Sequence, residues 1–430
     1  MKKKEQLKSI IRDFHESAPF DVIRRDVSPP TDTNKIITLI GVRRCGKTSI
    51  LYDMINTLSA NVERNKILYL NFEDERLELA TDEMDLILSA YRELYPSNDL
   101  RECYFFFDEI QNIIGWEKFI RRVYDTLTKN IFITGSNSKL LSTDIATALR
   151  GRTISYEVYP LSFSEYLRFK NIRIDFYSST QQAYIQKALG EYLQEGGFPE
   201  TLALEKDLAL KTLQEYFNVL LYKDIAERYS ISNTVALKFF IKRLMASSTK
   251  AISINKIYNE LKSAGIKIGK NTLYDFLEYV QNTYLALSLQ RYDTSLVNKE
   301  LGERKIYSID MGLTNATTYK FSDDIGKSLE NSLFLEFKRR GVELSYYSST
   351  KSECDFLVLD RSQVVQAIQV TYDMSDEITY KREIKGLIEA CKLFGLHEGT
   401  IITLDRMDEF LIEEITIKII PFARFVCKEH

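Results

Sequence analysis

The segment Gly41-Val42-Arg43-Arg44-Cys45-Gly46-Lys47-Thr48 constrains this chain more than any other. It fits G-x-x-x-x-G-K-[ST], directly after the apolar run Ile36–Ile40 and directly before Ser49–Leu58, whose pattern is helical. A strand that feeds a helix through such a turn commits the chain to an α/β domain with the loop at a strand's carboxyl end. Gly41 and Gly46 let the backbone wrap a phosphate with its N–H groups inward, and the following helix adds its positive end. Lys47 can reach the β- and γ-phosphates, and the Thr48 hydroxyl can ligate Mg²⁺. Arg43, Arg44, Cys45 and Ser49 complete the loop and the helix entry as further nucleotide-contact candidates. The bland alternative, a glycine-containing turn that happens to carry Lys-Thr, leaves the matching strand and helix unexplained.

A second element points to the same chemistry. Tyr104–Phe107 is an apolar strand ending in Asp108-Glu109. Ligands bind at the carboxyl edge of parallel sheets, so Asp108 is expected beside the loop as the Mg²⁺-associated carboxylate. Glu109 is then the group that orients and polarises the attacking water. The competing reading is a pair of solvated loop residues. The strand Ile131–Thr134 ends in Gly135-Ser136-Asn137-Ser138. There Asn137, with a longer reach than Ser136, either senses the γ-phosphate or caps the next helix. Leu149-Arg150-Gly151-Arg152 offers two arginines to developing γ-phosphate charge, set against an ordinary surface loop.

At 430 residues the chain exceeds one ordinary core. With 44% hydrophobic and 28% charged residues it has the composition of a globular protein. The net charge of −3 means that any nucleic-acid site is local. Five scattered cysteines without a C-x-x-C pair, and three histidines, exclude a zinc ribbon or finger and fit a reducing compartment. No apolar run approaches the roughly 18 residues of a membrane span. The basic N-terminus lacks the apolar core of a signal peptide, so a cytoplasmic protein without a membrane partner is expected.

Strands at Ile36–Ile40, Ile67–Phe72, Cys103–Phe107 and Ile131–Thr134 alternate with helices at Ser49–Leu58, Met84–Leu94 and Trp116–Leu127. Such alternation predicts a parallel sheet with helices on both faces. Before it, residues 1–30 hold an amphipathic helix with Leu7, Ile10, Ile11 and Phe14 on one side. Residues 180–250 read as helical. Ser253–Lys262 and Asn271–Asn282 form a helix–turn–helix pattern, and Leu285–Tyr292 with Arg304–Ile309 a hairpin. A helix at Leu329–Arg339 then precedes strands at Leu344–Tyr347, Phe356–Leu359, Val364–Val370 and Thr400–Leu404.

The runs GVRRCGKTS, YFFFDEIQNIIGWE, ITGSNSKLLS, LRGRTISYEVYPLSFSEYL and EGGFPE together resemble the archaeal-type AAA ATPase family. The resemblance extends over nearly the whole chain. It implies an N-terminal AAA-like ATPase domain joined to a C-terminal domain resembling a restriction-endonuclease fold. Asp108 and Glu109 would be its Walker B pair, and Thr134–Ser138 its sensor region. Arg150 or Arg152 would serve the nucleotide, and Gly196-Gly197-Phe198-Pro199 would lie in a helical lid. The expected division is an N-terminal helix over 1–30, a P-loop domain over 31–175, a helical lid over 176–245, a winged helix over 246–320, and a restriction-endonuclease-like α/β domain over 321–430.

Residues 230–310 hold twelve Lys or Arg against seven Asp or Glu, a local charge of +5 that leaves −8 for the rest. A basic winged-helix pattern in an acidic chain is the expected footprint of DNA contact, here across residues 253–310. Lys270, Asn271, Thr272 and Tyr274 would open its second helix, the end that enters a major groove. A packing or lid domain is the rival reading.

In the C-terminal part, Leu329–Glu336 resembles the first helix of the nuclease-like fold, and Glu353-Cys354-Asp355-Phe356 its E-x-D-F element. Glu330, Asp355 and Gln369 would then be the metal positions. An active enzyme of this type needs E-x-K on the next strand, where this chain reads Gln369-Val370-Thr371. Gln369 still offers an oxygen, but Thr371 cannot replace a lysine. A degenerate domain that binds without cutting is expected. The combined expectation is a Mg²⁺-dependent ATPase acting as a nucleotide-driven switch on a DNA- or protein-binding half. An ATP-dependent nuclease and an ATP-regulated protein-interaction module are the alternatives. An arginine supplied by a neighbour would require an oligomer.

Overall fold

Four short runs, each almost wholly apolar, become the buried strands of a parallel sheet, as strands covered on both faces must. They are β1 (Ile36–Ile40), β2 (Ile67–Asn71), β3 (Tyr104–Asp108) and β4 (Ile131–Gly135). The computed structural model describes residues 2–135, 148–295, 302–318, 324–350, 352–372 and 377–427. These divide into two compact units, Met1–Val158 and Tyr159–His430.

In the first unit the strand order is β2-β3-β4-β1-β5, all parallel. The edge strand β5 (Thr153–Glu157) was not read from the sequence. Among the described residues it pairs only with β1, and it is half-exposed, so it lacks the apolar run that marks its neighbours. Helices α1 (Lys2–Glu16), α2 (Lys47–Ser59), α3 (Asp85–Leu94) and α4 (Trp116–Thr126) accompany the sheet. The apolar face of α1 is buried at Leu7, Ile10, Ile11 and Phe14.

The second unit starts with helices α5 (Phe163–Phe169), α6 (Ser179–Glu195) and α7 (Lys206–Val219). A π-helical stretch, Leu220–Glu227, continues α7 and leads to α8 (Thr234–Ala246). Then come β6 (Ala251–Ile252), α9 (Ile254–Ser263), α10 (Lys270–Asn282), β7 (Ala286–Gln290) and β8 (Arg304–Ser308). The three strands form an antiparallel sheet in the order β6-β8-β7. Helix α11 (Met311–Thr317) and helix α12 (Ile325–Arg339) follow.

The last part is a six-stranded mixed sheet in the order β13-β14-β12-β11-β10-β9. Its strands are β9 (Glu343–Ser348), β10 (Glu353–Asp360), β11 (Gln363–Val370), β12 (Glu398–Thr403), β13 (Asp408–Ile412) and β14 (Ile415–Pro421). Helix α13 (Glu377–Phe394) buries Leu387 and Cys391 with Cys354, Leu357 and Ile401. Phe334 and Phe337 of α12 pack instead on Phe356. The register of β10 shifts between Cys354 and Leu357, so Cys354 and Phe356 join different clusters despite their even spacing. Asp355 sits inside that irregularity, a device that commonly re-aims a polar side chain. Among the described residues no helix is long and apolar enough to cross a membrane.

Candidate functional site

The loop between β1 and α2 is built from residues that only a turn tolerates. Gly41 has φ 154°, and a Cβ there would stand 2.1 Å from the Val158 carbonyl oxygen, so only glycine fits. Gly46 (φ 102°) caps α2 in the left-handed region, and Arg44 shares that region with φ 62°. Left-handed residues leading into a helix N-terminus make the backbone geometry of an anion nest.

Lys47 is 3% exposed and donates to the carbonyls of Gly41 at 3.2 Å and Val42 at 3.1 Å. Its ammonium also lies 3.6 Å from Glu109 Oε1. The Thr48 hydroxyl donates to Asp108 Oδ2 at 2.8 Å. Asp108 is fully buried, and burial pushes its carboxyl above the usual range against the pull of its hydroxyl donors. Those donors are Thr134 on Oδ1, and Thr48 and Tyr69 on Oδ2, the latter at 3.1 Å. Strand β4 lies between β1 and β3, and its Thr134 also accepts the Glu109 N–H at 2.9 Å. One side chain therefore fixes both acidic residues. Glu109 takes φ 50°, and Gln111 donates to its Oε2.

Tyr69 and Gln111 were missed by sequence reading, and Thr134 was noted only as the start of the sensor region that the resemblance implies. Thr134 and Gln111 carried one signal, a polar group at or just beyond the carboxyl end of an apolar strand, whereas Tyr69 lies in mid-strand and carried none. Arg25, also missed, is buried and donates to the Cys45 carbonyl at 2.6 Å. Among the other loop candidates, Arg43 pairs with Glu73 at 2.9 Å, while Arg44 is exposed and Ser49 half-buried. Cys45 is fully buried, and burial raises its thiol, so only its backbone can meet a ligand.

Ser136 and Asn137 lie outside the described residues. Arg150 is exposed with φ 51°. Arg152 donates to both carboxylate oxygens of Asp125, at 2.9 and 3.2 Å. Its carbonyl accepts the N–H of Ile36, which begins β1, whereas the loop follows Ile40 at the strand's other end. Five strand residues span roughly 13 Å. A role for Arg150 or Arg152 toward the loop of its own chain is therefore corrected: the sheet holds Arg152, with Arg150 two residues before it, at the opposite edge.

The other predicted set does come together. Glu330 on α12, Asp355 on β10 and Gln369 on β11 line a cavity of about 480 Å³. Into it projects Lys305 from β8, which sequence reading passed over. Its ammonium is 2.6 Å from Glu353 Oε1, 2.9 Å from Asp355 Oδ1 and 3.4 Å from Glu330 Oε1. Burial alone would lower this lysine, but the Asp355 and Glu330 carboxylates carry it well above its ordinary value. Burial, then the Asp355 charge, push Glu330 up to about 8. Arg382 reaches the cavity rim and donates to Glu383, while Lys381 lines a separate groove on α13.

Residues 33–167 match a family model described as an AAA domain, and residues 186–324 match a domain of unknown function, DUF8612. An uncharacterised protein of Methanocaldococcus jannaschii is 38% identical over 418 residues, spanning 94% of this chain and 91% of that one. An uncharacterised protein of Haemophilus influenzae is 30% identical over 346 residues, spanning 80% of this chain and 84% of its own length. The chain belongs to their family, an AAA-type P-loop ATPase family. A distant likeness also exists to the solved structure of the Aeropyrum pernix ORC1 protein in complex with DNA. It has a TM-score of 0.30 and 11% identity, covering 73% of this chain and 91% of that chain. In this AAA-type ATPase the loop after β1 and the buried Asp108 at the end of β3 meet at the carboxyl edge of the parallel sheet.

Proposed function

We propose that this chain is a Mg²⁺-dependent ATPase that works as a nucleotide-driven switch on a DNA-binding second unit. One observation carries the reading: Lys47, Thr48, Asp108 and Glu109, contributed by two separate strand ends, converge on one loop. A phosphate in that loop gives Lys47 better partners than the two carbonyls it now contacts. Thr48 and Asp108 are the residues that would hold Mg²⁺, a shared oxygen donor pair of the kind this hard cation takes. The cation supplies charge neutralisation between the phosphates. Glu109, released from Lys47, accepts the proton of the attacking water, and Thr134 keeps it in line with Asp108.

Arg150, exposed at the amino edge, suits a neighbouring copy's γ-phosphate rather than its own, which makes turnover depend on assembly. DNA is favoured over a protein partner by the basic span 230–310 and by α10, which carries Lys270 and the half-exposed Tyr274. This span with β6, β7 and β8 is read as a winged helix, and the six-stranded sheet as a restriction-endonuclease-like domain that no longer cuts.

The test is phosphate release by wild type and Lys47→Ala, each with and without double- and single-stranded DNA. Turnover lost in the variant and altered by DNA in the wild type is expected. DNA binding that is absent or insensitive to salt would favour a protein partner instead, because phosphate contacts weaken as salt rises.

A further inference from the structure

The divalent cation that a nuclease-like carboxylate pocket calls for does not fit the residues present. Each residue of the expected ligand set already accepts from a protein donor. Glu330 Oε1 accepts the Tyr307 hydroxyl at 2.8 Å and faces Lys305 at 3.4 Å. Asp355 Oδ1 accepts from Lys305 at 2.9 Å, and its Oδ2 from the Val370 N–H at 3.1 Å. Gln369 turns its Oε1 to the Asp355 N–H at 3.2 Å and its Nε2 to Glu383. Among the described residues no three His, Cys, Asp or Glu side chains are grouped to hold a metal.

We propose that Lys305 is the resident cation of this pocket. Its ammonium takes the place of a divalent metal, and once it is removed an incoming cation can draw Glu330, Glu353 and Asp355, which do not form a ready-made metal site, around itself. The ammonium has three N–H donors, matching the three carboxylates around it. It is 2% exposed, so little water competes for those contacts. A Mg²⁺ ion needs oxygens at about 2.1 Å in near-octahedral array. An ammonium already 2.6 and 2.9 Å from two of the same oxygens leaves neither the room nor the negative charge for one. Without it, carboxylates converge on an uncompensated hole, a costly arrangement that an incoming cation relieves.

Lys305 comes from β8, outside the six-stranded sheet. The cation is therefore delivered by a different part of the chain from the strand where a nuclease lysine would be sought, at Thr371. This inference extends the reading of a non-cutting C-terminal domain and involves no residue of the P-loop. Its failure would leave the ATPase proposal standing, and loss of turnover on Lys47→Ala would say nothing about it.

The experiment is Mn²⁺ binding to the full chain without nucleotide, read from the paramagnetic resonance of free Mn²⁺. The samples are wild type, Asp355→Asn, Lys305→Met and the double variant. Wild type is expected to bind no Mn²⁺ that Asp355→Asn removes. Lys305→Met is expected to gain one bound Mn²⁺, lost again in the double variant. An Asp355-dependent Mn²⁺ in wild type overturns the proposal, and so does a folded Lys305→Met that binds none. If Lys305→Met does not fold alone, recovery of its circular-dichroism spectrum in Mn²⁺ supports the proposal and lack of recovery overturns it.

Discussion

Thr48 and Asp108 are 60 residues apart in the chain, yet the threonine hydroxyl donates to the aspartate Oδ2 at 2.8 Å. That bond ties the start of α2 to the end of β3 and brings together two groups that a nucleotide-bound cation would share. Lys47 completes the set from the same helical turn. Replacing Lys47 by Ala should lower phosphate release on the order of a hundredfold or more, the usual consequence of removing a preorganised charge. Asp108→Asn, which keeps the shape and an acceptor oxygen but loses the charge, should do likewise while the protein stays folded. Turnover within twofold of wild type in both variants would remove the site assignment.

Among the described residues Tyr69 touches the site only through Asp108, at 3.1 Å, and its hydroxyl also meets that of Tyr52 at 3.2 Å. It is a positioning residue. Tyr69→Phe keeps the ring in the core and removes one of three hydroxyl donors from a fully buried carboxylate, leaving Thr48 on the same oxygen, at a cost of about 1–3 kcal/mol. The expected signature is a several-fold rise in the Mg²⁺ concentration needed for half-maximal turnover, with the KM for ATP at saturating Mg²⁺ little changed. A purely structural tyrosine would instead lower the melting temperature and leave the Mg²⁺ requirement where it was.

The sheet and the loop were legible because buried parallel strands are spelled out as unbroken apolar runs, and Ile36–Ile40 and Tyr104–Phe107 end on the residues that matter. Edge strand β5 was not legible: Thr153–Glu157 is half-exposed, so its polar residues carry no burial signal. Strands β13 and β14 escaped for a related reason, since β14 alternates buried and half-buried positions beside the exposed β13. Glu330, Asp355 and Gln369 were placed together through resemblance, but Lys305 was not, because no local motif links a hairpin strand to a carboxylate 50 residues away. Arg150 and Arg152 were assigned by residue type in a loop. Which end of the sheet that loop occupies is a matter of strand direction, which the arginines themselves do not encode.

Arg150 at the amino edge gives a prediction about assembly. Arg150→Ala should lower turnover by about 10³-fold or more, the range of an arginine finger. Mixing Arg150→Ala with Lys47→Ala should restore activity, since one chain then offers an intact loop and the other an intact arginine. The specific activity of wild type should also rise with protein concentration. Mixed variants no more active than the sum of the two alone would show that Arg150 does not reach a neighbour's nucleotide.

Asp310 is fully buried between α6 and α11, where its Oδ2 accepts the Gly197 N–H at 2.7 Å and its Oδ1 the Leu313 N–H at 2.8 Å. Burial pushes its carboxyl up to about 6, with the Gly197 and Leu313 N–H groups opposing the rise. The unfolded chain titrates near 3.8. Between about pH 4 and 6 the native state thus holds a proton that the unfolded state has released, so stability from this group is greatest at the acid end and falls as pH rises. The loss over that window is about 3 kcal/mol, from roughly two pH units at about 1.4 kcal/mol each. Asp310→Asn has no proton to lose, but its amide nitrogen must face one of the two backbone N–H groups, costing about 1–3 kcal/mol. Other carboxylates titrate in the same range, so the informative quantity is the difference between the two proteins. The melting temperature of wild type minus that of Asp310→Asn should shrink as pH rises from 4 to 6 and hold steady from 6.5 to 8. A difference that is flat across the lower window, or that grows, would mean that Asp310 stays ionised there and acts on the Gly197 turn as a simple hydrogen-bond acceptor.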